Sequence, residues 1–362
     1  MNVEELVKYL QEEREKYYSG EADISDVEFD KLENTLKQYD PDNSYFEQVG
    51  APVVGPGKVL HKHKMLSLQK STNEQDIFSW LKKFFPNHQI NILTEPKIDG
   101  VSLTNKYNKG KLYQVATRGN GEIGRDVSHL ANYVEDIPKT IPFDGNIEIR
   151  GEVYLPKNTP LPAGKSLRNQ AAGLVNRKGN QEDLRHLRFI AYDLIGFPTN
   201  SEKEKLDTLK QLAPNVISYE EIGSLEELRK IYNDYSIKKR EELPYLIDGM
   251  VIKINLTLDQ NKFPRETTHH PNWAMAYKFK AEEKQTRLIR VDWTQGQTGK
   301  ITPIAIFEPV ELSGATIQKA SLGSKRKFEL LRLEPGDIIS VSRQHEVIPY
   351  VMSNITKGIK NE

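Results

Sequence analysis

The chain has 362 residues and no cysteine, which excludes disulfides, thiol catalysis and cysteine-ligated zinc. No segment approaches the roughly 18 apolar residues of a membrane-spanning helix, and the acidic, amphipathic N-terminus is not a signal peptide. The net charge of zero hides an asymmetry, because residues 1–50 carry 14 acidic and 5 basic residues and the remainder sums to +9. Basic clusters at Lys278–Arg290 and Lys319–Arg332 favour a polyanionic partner, although a solvated surface would have the same composition. These features indicate a cytoplasmic protein of two or three domains.

Helices are predicted at the N-terminus. The apolar residues of VEELVKYLQEEREKYY and ISDVEFDKLENTLKQY recur at helical spacing within residues 3–38. The Gly/Pro-rich stretch Gly50–Gly57 follows and indicates a domain boundary. We therefore predict a helical domain over residues 1–56.

The middle of the chain mixes strands and helices, and its last part is almost wholly β. INILTEPKIDGVSLTNKYNKGKLYQVATRG, NIEIRGEVYL, LRFIAYDLIG and IDGMVIKIN read as strands, whereas SLEELRKIYNDYSIKKREEL reads as a helix. After residue 283 the pattern predicts about five short strands, which is typical of an OB-fold barrel. The predicted fold class is α+β, with a mixed domain over residues 57–282 and an OB-fold over residues 283–362.

One lysine stands between carboxylates in TEPKIDGVSL, where Lys97 follows Glu95 and precedes Asp99 and Gly100. A lysine on a solvated strand edge would pair with such neighbours in the same way. A nucleophilic lysine also needs them, because its ammonium must be held and must lose a proton before the nitrogen attacks. The motif alone leaves both readings open.

Charged residues lie beside glycines or inside apolar strands in four more segments. They are Arg118, Arg150, Glu152, Lys253, Lys278 and Lys280. Lysines in apolar strands are costly unless an anion pairs with them, and adjacent glycines let the backbone approach a ligand closely. Each segment taken alone favours a structural role, whereas together they favour a site for a nucleotide phosphate.

The order of these segments resembles that of a known family. E-P-K-I-D-G, T-R-G-N-G, R-G-E-V, I-D-G-M-V-I-K and W-A-M-A-Y-K-F follow the nucleotidyltransferase motifs of the covalent ligases. MLSLQKS, GQTGKITPIAIFEPVELSGATIQKASL and EVIPYV narrow the likeness to the bacterial-type NAD+-dependent DNA ligases, and YYSGEADISDVEFDKLE resembles their helical NMN-binding domain. The likeness covers nearly the whole chain and implies that Lys97 is the adenylated nucleophile.

The resemblance implies a role for each matching residue. Lys97 would form a phosphoramidate with the α-phosphate of NAD+, Lys253 and Lys278 would contact that phosphate, and Asp99 and Asp248 would lie beside the lysines and the metal. Two more cations near Lys97 would also favour its neutral, nucleophilic form. The residues that would bind the adenylate are Glu95 at the adenine amino group, Arg118 and Glu152 at the ribose, Tyr192 stacked on adenine, Ser67 and Leu68 along the pocket, and Arg168 in a matching arginine-rich segment.

The N-terminal helices bear on the choice of cofactor. The aromatic-plus-acid pocket that the family uses for the NMN half corresponds to Tyr17, Tyr18, Asp26, Phe29 and Asp30. Acids would pair with the nicotinamide ring and the ribose hydroxyls, and aromatic rings would stack. ATP-dependent relatives lack this element. Phe29 stands where the family commonly has tyrosine, and Tyr17, Tyr18 and Phe29 have a simpler alternative role as packing residues.

Mg2+ is the metal that the resemblance implies, held by oxygen ligands and waters. The sequence shows no dedicated protein cage for it and no zinc site. His61 and His63 could bind a metal as a pair, but we interpret them as surface histidines.

Three departures from the family pattern are visible. Arg177 falls one residue later than its counterpart, and Arg125 replaces a glutamate after Gly124. The zinc module, the helix-hairpin-helix repeats and the terminal breast-cancer-type domain have no counterpart here. Two interpretations stay open, a minimal ligase and a shortened form of a larger ligase, and the absence of cysteine slightly favours the first.

The expected function is sealing of 5′-phosphate/3′-hydroxyl nicks in duplex DNA, in replication or repair, through lysine–AMP and adenylated DNA. The expected substrates and partners are NAD+, Mg2+ and nicked duplex DNA, and a cytoplasmic monomer without membrane contact is expected. One alternative is an RNA-joining or ATP-dependent polynucleotide ligase. Another is a non-catalytic nick-binding protein, which the intact set of Lys97, Lys253 and Lys278 disfavours.

Overall fold

The computed structural model describes residues 2–360, with gaps at 20–23, 25, 42, 48–56, 88, 161–165, 177–181, 263–269, 281–282, 296–300, 313–314, 324 and 345–347. The side chains at 17–19, 26–27, 47, 295, 315, 343–344, 348 and 360 also lie outside the description. The chain forms two compact units. One combines Met1–Phe46 with Lys280–Glu362, and the other is Glu47–Phe279. The three-domain division predicted from the sequence stays a prediction.

The N-terminal segment forms the predicted helices α1 (Val3–Ser19) and α2 (Asp26–Tyr39), followed by a 3-10 turn at Ser44–Glu47. The Glu33 carboxylate ties α2 to this turn, because it accepts a hydrogen bond of 2.8 Å from the Tyr45 hydroxyl. The buried side chains between these elements are Leu6, Leu10, Ile24, Leu32, Leu36 and Tyr45. The two helices therefore have a small core of their own.

The second unit contains a five-stranded sheet, a four-stranded sheet and a short ribbon. In order across the five-stranded sheet lie β2 (Gln69–Ser71), β11 (Ala274–Lys278), β10 (Ile247–Ile254), β3 (Ile92–Ile98) and β9 (Glu220–Ile222). The four-stranded sheet consists of β5 (Lys111–Thr117), β4 (Val101–Asn108), β7 (Asn146–Tyr154) and β8 (Arg188–Ile195). The ribbon pairs β1 (Lys58–Leu60) with β6 (Ile123–Arg125).

Helices pack against these sheets and bury two apolar cores. They are α3 (Glu74–Phe84), α4 (Leu167–Asn176), α5 (Glu202–Leu212), α6 (Leu225–Asp234), α7 (Arg240–Glu242) and α8 (Thr257–Gln260). A π-helical turn at Tyr235–Lys239 joins α6 to α7, as expected for one predicted helical segment. Ser201 and Ser224 cap α5 and α6 by accepting hydrogen bonds from backbone N–H groups of the first turn. The larger core includes α4 and α5, and the smaller one includes α3.

The chain passes from one sheet to the other at the end of β3. β3 belongs to the five-stranded sheet, and β4, which begins after Asp99 and Gly100, belongs to the four-stranded sheet. A Cβ atom on Gly100 would lie 2.4 Å from the backbone oxygen of Val153 in β7, so glycine is required for this close approach. Lys97, near the end of β3, therefore lies where the two sheets meet.

Residues 283–360 form a closed five-stranded barrel, and the predicted OB-fold and α+β class are confirmed. Its strands are β12 (Glu283–Gln295), β13 (Ile301–Leu312), β14 (Ala315–Ser321), β15 (Ile338–Gln344) and β16 (Ile348–Asn354), and the short β17 (Ile359–Lys360) pairs antiparallel with the end of β16. The order is β14–β13–β12–β15–β16, and a parallel contact of Ser321 with Tyr350 closes the barrel. The helix α9 (Lys325–Leu331) was not predicted. Its Leu331 is buried in the barrel core, so this helix caps an otherwise β structure.

The N-terminal helices and the barrel touch within their shared unit. Glu28 of α2 and Lys327 of α9 form an ion pair of 2.7 Å, with both side chains at most 5% exposed. At the rim, Lys31 and Glu283 form a half-exposed pair at 2.6 Å. Among the helices that the structure describes, none is long and apolar enough to cross a membrane.

Candidate active site

Lys97 lies near the end of a buried strand, and its side chain is partly accessible. In β3 the neighbours of Lys97 are buried, whereas Lys97 itself is half-buried. Pairing with β10 places Lys97 opposite Gly249. A Cβ atom on Gly249 would lie 2.5 Å from the backbone oxygen of Tyr277, so this position also requires glycine. The strands around Lys97 are thus tightly packed, and its ammonium is left accessible.

Two of the predicted lysines share one carboxylate. Nζ of Lys97 donates to Oδ1 and Oδ2 of Asp248 at 3.0 and 3.1 Å. Nζ of Lys278 lies 3.3 Å from Oδ2 of the same residue. Asp248 occupies a register shift in β10 between Ile247 and Gly249, which directs its side chain to both ammonium groups. The three residues form a cluster in which a carboxylate can hold Lys97 and accept its proton.

Asp99 and Arg168 form a second buried pair next to the turn at Gly100. Nε of Arg168, which belongs to α4, lies 3.6 Å from Oδ1 of Asp99, and both residues are buried. The backbone N–H of Asp99 donates to the oxygen of Leu246 at 2.9 Å. The structure therefore brings Asp99 and Arg168 together. The backbone hydrogen bond also joins the segment after β3 to the segment before β10.

Glu152 lies on the polar face of the four-stranded sheet, beside several predicted residues. β7 and β4 pair Glu152 with Ser102, whose hydroxyl donates to Oε2 of Glu152 at 2.9 Å. Burial raises the pKa of Glu152 to about 7, while Ser102 and the charges of Lys97 and Arg118 act in the opposite direction. Burial and the charge of Glu152 also raise the pKa of the Tyr192 hydroxyl. These residues therefore surround one buried carboxylate whose pKa is raised.

Lys253 and Glu95 form the innermost part of the site. Nζ of Lys253 lies 2.7 Å from Oε1 of Glu95 and donates to the backbone oxygen of Tyr192 at 3.1 Å. Burial raises the pKa of Glu95 to about 7, although the Lys253 ammonium acts to lower it. Burial acts to lower the pKa of Lys253, but the surrounding carboxylates raise it, so Lys253 stays charged.

Lys253 and Glu95 belong to a larger set of charged residues, which we call the buried charge network, and sequence reasoning missed its other members. It consists of Glu95, Lys253, Glu202, Lys205 and Asp193. Glu202 and Lys205 belong to the first turn of α5 and lie one turn apart. The available signal was the apolar face of this helix: Glu202 lies four residues before the buried Leu206 and seven before Leu209. A charged residue at such a position indicates a buried partner.

Other predicted residues lie at the margin of the site or outside the described part. Ser67 and Leu68 are half-buried and precede β2, which runs parallel to β11. Phe29 packs against the core of the N-terminal helices, in agreement with its alternative role as a packing residue, and Asp30 is half-buried in α2. The side chains of Tyr17, Tyr18 and Asp26, and the whole of Arg177, lie outside the described residues.

Two interpretations from the sequence need correction. His61 is buried under β6 rather than at the surface. Its Nε2 lies 3.0 Å from the backbone oxygen of Thr117, and burial lowers its pKa. His63 is exposed and lies 3.1 Å from Glu148. Lys280 is not inside an apolar strand, because β11 ends at Lys278 and Lys280 is exposed.

Arg125, which stands where the family has a glutamate, makes structural contacts. Its guanidinium donates to Oδ1 of Asn176 at 3.3 Å, and its backbone N–H donates to the Thr117 hydroxyl at 3.0 Å. Within the residues that the structure describes, no group of three His, Asp or Glu side chains could hold a metal ion.

Comparison with known proteins finds relatives over most of the chain. Residues 57–282 match the NAD-dependent DNA ligase adenylation domain, and residues 285–362 match the NAD-dependent DNA ligase OB-fold domain. A DNA ligase of Wolbachia pipientis wMel is 33% identical over 97% of this chain and 55% of its own length. A DNA ligase of Helicobacter pylori strain P12 is 35% identical over 96% of this chain and 57% of its own. A solved Lig E DNA ligase structure is 16% identical and covers 79% of this chain and 95% of its own, with a TM-score of 0.42. The chain spans about half the length of the curated relatives it matches.

Proposed function

The chain belongs to the NAD-dependent DNA ligase family, and we propose that it transfers AMP from NAD+ through Lys97 to the 5′-phosphate of a DNA nick. The neighbouring 3′-hydroxyl then attacks the adenylated phosphate, which seals the strand and releases AMP. The proposal rests chiefly on one observation, the half-exposed Lys97 ammonium that shares the Asp248 carboxylate with Lys278. Lys97 supplies the nucleophile, Asp248 the proton acceptor and Lys278 a further cation, and the Asp248 carboxylate contacts both ammonium groups.

In the first step, Lys97 gives up a proton, for which Asp248 is the adjacent acceptor. Nζ of Lys97 then attacks the α-phosphorus of NAD+, so that a P–N bond forms while the P–O bond to NMN breaks. Lys278 and Lys253 would neutralise the charge that develops on the phosphate oxygens, which is the main requirement of phosphoryl transfer. Asp99, paired with Arg168, would keep the turn after Lys97 in place.

The polar face beside Lys97 has the donors and acceptors that an adenosine needs. Glu95 would accept from the adenine amino group, and Tyr192 would stack on the ring. Arg118 and Glu152 would bind the ribose hydroxyls, which is supported by their mutual proximity and by the buried Glu152 carboxylate. Other predicted contributors to this pocket are Ser67, Leu68 and Arg168.

The helices α1 and α2 would bind the NMN half of NAD+. Asp26 and Asp30 lie one turn apart on α2, where two carboxylates would face the nicotinamide ring and the ribose. Tyr17, Tyr18 and Phe29 complete the predicted pocket. This element is the reason for proposing NAD+ rather than ATP.

Mg2+ is proposed as a partner of the phosphates rather than of a protein cage. The described residues include no three-ligand group, and the Asp248 and Asp99 carboxylates already contact Lys97 and Arg168. The fit to protein ligands is therefore poor, and the phosphates and waters would supply most of the ligands. When bound, the ion would neutralise phosphate charge.

Nicked duplex DNA is the proposed partner of the barrel. An OB-fold is a common nucleic-acid-binding architecture, and the basic clusters Lys278–Arg290 and Lys319–Arg332 would attract phosphates. We propose that a monomer with a helical, an adenylation and an OB-fold domain acts in the cytoplasm, where both substrates are found.

A sealing assay tests the function. A duplex with one labelled 5′-phosphate nick is incubated with the protein, Mg2+ and either NAD+ or ATP, and the strand length is read on a denaturing gel. We expect sealing with NAD+ only, and none with Lys97→Ala. Sealing with ATP only would overturn the role of the helices. Binding of the nick without sealing would favour the non-catalytic alternative, and sealing of RNA strands alone would favour an RNA ligase.

A further inference from the structure

The buried charge network ties Lys253 to two residues without an assigned role. The Glu202 carboxylate lies 3.7 Å from Nζ of Lys253 and 2.8 Å from Nζ of Lys205. Nζ of Lys205 also lies 2.9 Å from Oδ1 of Asp193. The side chains of Lys253 and Glu202 are 7% and 2% exposed, so water screens their interaction little. Glu202 therefore stands between two ammonium groups in a dry part of the site.

The backbone fixes Glu202 relative to Lys253. The N–H of Glu202 donates to the backbone oxygen of Asn255, two residues beyond Lys253, at 2.8 Å. The Gln260 amide donates to Oε1 of Glu202 at 3.1 Å and to the backbone oxygen of Ile254 at 2.8 Å. The start of α5 and the end of β10 are thus joined by one direct hydrogen bond and by a bridge through Gln260. These contacts hold Glu202 in place beside the strand that carries Lys253.

Resting on the proposed ligase function, we propose that Glu202 and Lys205 are positioning residues for Lys253 during AMP transfer from NAD+. Glu202 gives the Lys253 ammonium a fixed partner when Glu95 turns to the adenine. Lys205 balances the charge of Glu202, so that the network does not repel the phosphates of NAD+. Neither residue contacts the reacting atoms.

Loss of the Glu202 charge and loss of the Lys205 charge should change the pKa of Glu95 in opposite directions. Three carboxylates and two ammonium groups face one another here: Glu95 from β3, Lys253 from β10, Asp193 from β8, and Glu202 and Lys205 from α5. Burial, together with the charges of Glu202 and Asp193, raises the pKa of Glu95 to about 7 against the lowering effect of Lys253. Removal of the Glu202 charge must therefore lower the pKa of Glu95, and removal of the Lys205 charge must raise it.

The test compares Glu202→Gln and Lys205→Met with the double variant. The apparent affinity for NAD+ is measured between pH 6 and 8.5 from the rate of AMP attachment to the protein. We expect the acid limb of this profile to shift downward in Glu202→Gln and upward in Lys205→Met, each by about 0.5–1 pH unit. Lys205→Met weakens NAD+ binding roughly tenfold. The double variant, which loses one charge of each sign, recovers most of this affinity.

Lys210→Met is the matched control, because Lys210 lies on α5 in an exposed pair with Asp207 and should leave both quantities unchanged. Shifts in the same direction in both single variants, or additive loss in the double variant, would overturn the positioning role. So would profiles that match the control. If the unchanged protein attaches no AMP, the proposed function itself fails, which is a distinct outcome. If Lys205→Met does not fold, the double variant and Glu202→Gln still decide the question.

Discussion

Two lysines are buried in different units of the chain, and their surroundings have opposite effects on them. Lys253 is 5% exposed and Lys327 is 3% exposed. Burial acts to lower the pKa of both. Around Lys253 the carboxylates Glu95, Glu202 and Asp193 reverse this effect and raise its pKa. The pKa of Lys327 remains lowered, because Glu28 does not offset burial and the nearby Lys31.

The difference indicates two uses of a buried ammonium. Excess negative charge around Lys253 keeps it charged and ready for an anionic ligand. The Glu28–Lys327 pair instead joins the N-terminal helices to the barrel, where a buried ion pair contributes specific contact more than stability. Loss of Lys253 should therefore affect the reaction, whereas loss of Lys327 alone should affect stability because it leaves Glu28 buried without a partner cation.

The rate of AMP attachment should change most, and it should distinguish loss of Lys253 from loss of Lys327. Lys253→Met should slow attachment of AMP at least about 100-fold, because one stabilising charge at the phosphate is lost. Lys327→Met should leave this rate within about threefold of the unchanged protein. Single-turnover kinetics with saturating NAD+ measure both. Equal slowing in the two variants would remove the distinction.

The second effect is on stability. Lys327→Met leaves Glu28 buried without its cation, and the free energy of unfolding of the barrel unit should fall by about 3 kcal/mol. The double variant Glu28→Gln/Lys327→Met should recover most of this loss. Urea unfolding measures it, with Trp293 in β12 as the reporter after Trp80→Phe and Trp273→Phe. A double variant as unstable as the single one would show that the charge of Glu28 is not the cause.

A third effect concerns pH. Burial raises the pKa of Glu152 to about 7 from its ordinary value of 4.5, so the folded chain binds more protons than the unfolded chain between these values. Its stabilising contribution is complete below about pH 4.5 and is lost as pH rises through 7. The unit containing Glu152 should thus be less stable at pH 8 than at pH 6, by about 1 kcal/mol from this group. Glu152→Gln should remove that part of the slope, measured by fluorescence of Trp80 and Trp273, and an unchanged slope would contradict the assignment.

The smallest effect is expected at the rim of the helix–barrel contact. Lys31 and Glu283 are 40% and 36% exposed, so solvent screens their pair. Lys31→Ala should lower the free energy of unfolding by about 0.5 kcal/mol or less. The same urea experiment measures this, with Lys327→Met as the reference. A loss as large as that of Lys327→Met would mean that burial does not determine how much each contact contributes to the free energy of unfolding.

Local patterns predicted much of the fold, and the resemblance predicted most residues of the site. The strands β3 and β10 and the turn at Gly100 were readable from the sequence, but the alternation expected for β10 is absent because both strands are buried along nearly their whole length. The contact of Lys97 with Asp248 joins residues 151 positions apart, so no local pattern could reveal it, and only the shared motifs indicated that both belong to one site.

The misses have physical causes. Glu202 and Lys205 look like ordinary charges of an exposed helix until α5 is packed against β8, which places the side chains of its first turn inside the protein. His61 precedes a charged, exposed stretch, but the pairing of β1 with β6 covers its ring. The helix α9 was missed because its seven residues are too few for a clear helical period.

Transfer of AMP from NAD+ to Lys97 is tested most directly by the mass of the intact protein. Any AMP already on the protein is first removed with excess NMN, and the intact mass is then measured after incubation with Mg2+ and NAD+. We expect a gain of one adenylyl group, absent in Lys97→Ala and absent with ATP. No gain in the unchanged protein, or an equal gain in Lys97→Ala, would contradict it.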